Sequence, residues 1–144
     1  MRHTHRIALV ALCAAACRLA PVAQALPIRE VVSGCSGGFT GGGGGVALTP
    51  NGQLYTWQLQ LAGAPETRRL ARTDTALAAD VFRRLAAMRF LEIAYAQPSN
   101  VTCFVRARTD SGTHEVAWPL NDTGAPRAVR DLFDRLKAAA PNGA

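Results

Sequence analysis

Along Gln53 to Gln60 the side chains alternate: Leu54, Thr56 and Gln58 on one side, Tyr55, Trp57 and Leu59 on the other. A period of two is the mark of a strand with two distinct faces, and the Tyr55, Trp57, Leu59 face is expected to be core. Val46 to Thr49 precedes it across Pro50-Asn51-Gly52, so the two segments predict a hairpin turned at Asn51-Gly52. Upstream, Val31 to Phe39 begins β-branched and passes into glycine, which predicts a first strand that bends or bulges near its end. Val101 to Arg108 and Thr113 to Trp118 flank Asp110-Ser111-Gly112 as a second hairpin. The period changes at Thr73-Asp74, an N-cap, after which Leu77, Val81, Leu85 and Met88 recur at helical spacing and predict a helix over 75–89, with Arg83 and Arg84 on its wet face. A last helix opens at Pro126 and carries Val129, Leu132, Phe133 and Leu136 as its apolar stripe, with Lys137 near its end. Ala62 to Arg72 is polar and contains proline, and reads as a connection. The expected fold is α+β: an antiparallel sheet of about five strands with two helices packed on one face.

The N-terminus follows a different pattern. Met1 to Arg6 holds two arginines and no acid, an apolar run of 11 residues follows from Ile7 to Cys17, and Ala23-Gln24-Ala25 offers a small-residue cleavage site. That order predicts a signal peptide over 1–25 and one domain over 26–144. The run is too short for a bilayer, which takes roughly 20 residues. The alternative is a lipoprotein signal acylated at Cys17. Loss of Arg2, Arg6 and Arg18 lowers the formal net charge from +6 to +3, and the remaining arginines are scattered among acids, so nucleic-acid binding has no support. The remaining length suits one domain that buries roughly two thirds of its unfolded surface.

Cysteine usage adds a compartment. Cys13 and Cys17 leave with the leader, and Cys35 and Cys103 are expected to pair, because a periplasmic or secreted chain matures under oxidising conditions. The other outcome is two separately buried thiols. Two cysteines without a second pair or nearby histidines make a poor zinc set, so no metal and no cofactor is expected.

Catalytic chemistry has no candidate. His114 and Glu115 are neighbours on a predicted strand and point to opposite faces, so they form no dyad. Ser33, Ser36, Ser99 and Ser111 lack a nucleophile elbow, and Gly41 to Gly45 leads to Val46 without the Lys-Ser/Thr of a phosphate loop. The chain is therefore expected to be no enzyme. Between Ser36 and Gly45 seven of ten residues are glycine, and one exception is the large aromatic Phe39. Glycine carries a high ordering cost, so such a segment is either a connector or bulged strand, or a loop that presents Phe39 and backbone amides to a protein. The candidate partner-binding residues are Ser36, Gly37, Gly38, Phe39, Thr40 and Gly41. This requires Phe39 to be exposed.

Ser36-Gly37-Gly38-Phe39-Thr40-Gly41 at the first strand, Leu85 to Phe90 at the end of the helix, the Thr102 to Val105 and His114 to Val116 hairpin and the closing Pro126 to Leu136 helix stand in this order along the chain. In these features it resembles emfourin, a proteinaceous inhibitor of thermolysin-type (protealysin-like) metallopeptidases. The resemblance implies an α+β inhibitor fold and a non-enzymatic role blocking a secreted peptidase. With the leader predicted over 1–25, the expectation is an exported, monomeric protein-binding module that inhibits a secreted metallopeptidase. The alternative is a small periplasmic or lipid-anchored envelope protein with a structural or assembly role.

Overall fold

A computed structural model describes residues 28–141. The expected leader, its cleavage point and Cys17 lie outside them. Six strands form one antiparallel sheet: β1 (Ile28–Gly37), β2 (Gly42–Leu48), β3 (Gln53–Leu59), β4 (Thr67–Thr73), β5 (Val101–Thr109) and β6 (Gly112–Pro119), in the order β4-β3-β2-β1-β5-β6. Helix α1 (Thr75–Ala87) follows β4 and α2 (Arg127–Ala139) follows β6. The sheet is therefore one strand wider than the pattern predicts. The extra strand is β4, within the stretch read as a connection. Its sequence, Thr-Arg-Arg-Leu-Ala-Arg-Thr, has no apolar face and is largely exposed, as suits an edge strand whose charges discourage further pairing.

Register explains which side chains meet. On the helix-covered face Leu54, Leu48, Val31 and Ala107 stand side by side across four strands, and in the next row Val46, Ser33, Val105 and Val116. The helices close this face with Leu77, Val81 and Leu85 from α1 and Val129, Leu132 and Leu136 from α2, all buried with the strand residues in one cluster. Trp118 meets Phe133 of α2 edge-on at 5.4 Å. Helix α1 starts where expected, since Asp74 Oδ1 accepts from the Leu77 amide at 2.9 Å. It ends at Ala87, and Arg89 in the left-handed region (φ 52°) turns the chain into a short 3-10 turn at Phe90–Glu92. No helix among the described residues is long and apolar enough to cross a membrane.

The Tyr55, Trp57, Leu59 face of β3 packs into a core cluster as expected, but not into the one beneath the helices. Leu54, not Trp57, joins the helix-side core. Trp57 is buried on the opposite face, in a small cluster with Val32, Ala47, Phe104 and Ala117, flanked by Tyr55 and Leu59. The alternation by itself points the Tyr55, Trp57, Leu59 face toward the helices, since the other face holds Leu54 with Thr56 and Gln58; pairing with β2, which places Leu54 beside Leu48, decides otherwise.

The glycine run is also strand, not connector: Gly42 to Gly45 form the first half of β2. Gly45 and Gly34 pair across β2 and β1, in the row between Trp57 and Phe104. A Cβ at Gly34 would lie 2.4 Å from Trp57 Cζ2, and one at Gly45 would lie 1.9 Å from the Ser33 carbonyl oxygen. Bare backbone there gives the indole a bed. Its Nε1 donates to that Ser33 carbonyl at 3.1 Å, and its ring stacks near Phe104 at 5.9 Å. Arg106 lies over the outer Phe104 ring at 4.6 Å and is itself paired with Glu115.

Candidate functional site

At one end of the sheet β1 and β2 are joined by the four residues Gly38 to Gly41, with Gly37 opposite Gly42 as the last pair. The Gly41 amide donates to the Gly38 carbonyl at 3.1 Å, so Phe39 and Thr40 occupy the two central positions of a β-turn. Gly38 and Gly41 have φ of 76° and 66°, which side chains rarely adopt, and this is what glycine supplies here.

Neighbouring loops hold the turn on both sides. The Thr40 carbonyl accepts from the Ala62 amide at 2.9 Å, and the Gly38 amide donates to the Asn100 carbonyl at 2.6 Å. These approaches leave no room for larger residues: a Cβ at Gly41 would meet Ala62 Cβ at 2.7 Å, and one at Gly37 would meet the Asn100 carbonyl at 2.0 Å. The turn is thus braced, and Phe39 at its apex is fully exposed. Ser36 and Gly37 belong to the end of β1, Gly38 to Gly41 to the turn. All six candidate residues are therefore contiguous on one hairpin.

Two exposed leucines stand at the same end, and the sequence reading does not single them out. Leu61, 53 % exposed, follows β3, and Leu120, 54 % exposed, follows β6. The Leu61 loop reaches the turn through the Ala62 bond, and the Leu120 amide donates to the Val101 carbonyl, beside Asn100. These segments carry no charge: Gly37 to Gly45, Leu59 to Pro65, Ala96 to Thr102 and Pro119 to Asn121 contain neither acid nor base. Depletion of charge around exposed large apolar residues is what the centre of a protein interface requires. No local signal could have grouped Phe39, Leu61 and Leu120, since only the strand order brings their loops to one end.

The loop after β6 is anchored by Asp122. Its Oδ1 accepts from the Gly124 amide at 2.8 Å and its Oδ2 from the Tyr95 hydroxyl at 2.7 Å. The Gly124 amide first, and then the Tyr95 hydroxyl, holds this carboxyl below the ordinary aspartate value. A folded-state value below the unfolded one means the stabilisation is fully present above about pH 4 and is lost as the pH falls through the folded value. We expect the thermal midpoint to fall on acidification below about pH 4, with a shallower fall in Asp122→Asn. Identical slopes in calorimetry would refute the anchor.

The remaining candidates sit apart. Cys35 and Cys103 are joined by a disulfide between directly paired positions of β1 and β5, on the helix-covered face. His114 faces the helix side, edge-on to Phe90 at 5.3 Å, with Nε2 3.1 Å from the Ile93 carbonyl. Glu115 is on the opposite face with Arg106. Among the described residues no three His, Cys, Asp or Glu side chains are grouped to hold a metal ion. Comparison with protein-family models, curated proteins and solved structures finds no match for this chain.

Proposed function

We propose that the chain is an exported, non-enzymatic binding module that inhibits a secreted thermolysin-type metallopeptidase, with the Phe39 turn as the inserted element. The observation that carries this reading is a large aromatic side chain, fully exposed at the apex of a turn braced on both sides. An exposed phenyl ring is unfavourable in water and becomes favourable only when a partner pocket desolvates it. Bracing reduces the ordering cost on binding, which a free glycine loop would incur in full. Leu61 and Leu120 supply apolar contacts on either side. The emfourin-like Ser36 to Gly41 segment forms the end of β1 and the turn, and the choice of peptidase class rests on that likeness.

The test is inhibition of a thermolysin-type peptidase by the purified chain. The expected result is inhibition that weakens by about 30-fold or more in Phe39→Ala, the range of an interface anchor. Stability of the variant should stay within about 0.5 kcal/mol, because the side chain is outside the core. Lack of inhibition by the unaltered chain against a panel of such enzymes would refute the proposal. Retained inhibition by folded Phe39→Ala would refute the site.

A further inference from the structure

The glycine run contains one member, Gly44, that needs no left-handed backbone and where an added Cβ would be crowded least. A Cβ at Gly42 would meet the Gln60 carbonyl at 2.8 Å, and one at Gly43 the Cys35 carbonyl at 2.6 Å; Gly41 and Gly45 are as crowded. At Gly44 the nearest atom is the Trp57 carbonyl oxygen at 3.3 Å, and its φ is not in the left-handed region. Gly44 pairs with Cys35, on the helix-covered face. The next row of this face toward the middle of the sheet carries Val46 and Ser33, whereas position 44 carries no side chain and the row beyond it is the Gly42–Gly37 pair. A cavity of about 260 Å³ opens there, beneath the end of α2.

Its walls are mostly apolar: Val46, Cys35 of the disulfide, Phe133 and Ala140. Ser33, the one buried polar residue of the core among the described residues, lines it from β1, and Lys137 lines it from the last turn of α2. Lys137 forms no ion pair within 4.0 Å with another described residue, and it is the only lysine in a chain whose other 15 basic residues are arginine. The carbonyls ending α2 oppose an anion with about half a charge, which the full charge of Lys137 outweighs. An apolar cavity of about 150 Å³ already accepts a benzene-sized guest. We infer that this cavity is a binding site for a small apolar carboxylate, a ring or short chain beside Phe133 with its carboxylate on the Lys137 ammonium.

The site is separate from the Phe39 turn, so each can fail without the other. Calorimetric titration of the purified chain with 3-phenylpropanoate, and with the uncharged 3-phenylpropanamide, tests it. We expect a dissociation constant below about 1 mM for the carboxylate and binding at least about tenfold weaker for the amide, the worth of one charged hydrogen bond. Lys137→Met should bring the carboxylate down to the level of the amide. Gly44→Val, which fills the cavity from β2, and Ala140→Leu, which fills it from α2, should abolish binding, while Phe39→Ala leaves it unchanged. The ligand should also slow acylation of the single lysine side chain. If Gly44→Val does not fold, Ala140→Leu decides. Absence of carboxylate binding at millimolar concentration, equal binding of the two compounds, or binding that survives a folded filling variant overturns the inference.

Discussion

Trp57→Ala should lower the unfolding free energy by about 3–5 kcal/mol, the usual cost of deleting a buried large aromatic. The expectation rests on how one indole organises the face away from the helices. It is 3 % exposed, lies across the Gly34–Gly45 pair, meets Phe104 and donates to the Ser33 carbonyl. Alanine would leave a trough over bare backbone that no neighbouring residue can fill, because positions 34 and 45 have no side chains. Trp57→Phe should cost less but still leave that carbonyl without its indole donor, a penalty of about 1–3 kcal/mol. Urea denaturation reads both values. A loss below about 1 kcal/mol for Trp57→Ala would mean that the glycine bed is not specific to the indole. Gly45→Ala supplies the converse test, since the added carbon would sit 1.9 Å from Ser33 oxygen and must push β1 and β2 apart.

The second large effect is the disulfide. Replacing Cys35 and Cys103 together by alanine should cost about 4 kcal/mol, from the chain entropy regained by the unfolded state, given a sequence separation of 68 residues. The bond links β1 to β5, an interior pairing of the sheet that otherwise depends on non-local strand contacts. Thiol reductant should lower the urea midpoint of the unaltered chain and leave that of the double variant in place. Equal midpoints with and without reductant would show that the bond does not contribute to stability in solution.

Some of this architecture was legible because local periodicity and the final environment agree. Leu77, Val81 and Leu85 mark α1 at a spacing of four, and Val129, Leu132 and Leu136 mark α2; each set is buried. The Asn51-Gly52 and Asp110-Ser111-Gly112 turns lie where the hairpins bend, since such turns depend on backbone freedom within a few residues. The Cys35–Cys103 pair could be expected from counting and compartment alone. β4 was not legible, because an edge strand gains its hydrogen bonds from β3 and needs no apolar face. The glycine half of β2 was not legible either, because glycine's propensity opposes a strand and only packing against Cys35, Ser36 and Trp57 overrides it.

The candidate site divides along the same line. The Ser36 to Gly41 segment stands out by composition, since one aromatic among glycines is a local anomaly. Its exposure, its bracing by Ala62 and Asn100, and the placing of Leu61 and Leu120 at the same end follow from the strand order β4-β3-β2-β1-β5-β6. By itself, then, the amino-acid order determined the helices, the hairpin turns, the α+β class and the cysteine pair, each set by interactions spanning a few residues or by simple counting. Tertiary structure alone decided which face of β3 turns inward, why the glycines are there, where the cavity beneath α2 opens and which loops surround Phe39. Those are contacts between residues far apart in the chain, whose energies exist only once the sheet has assembled.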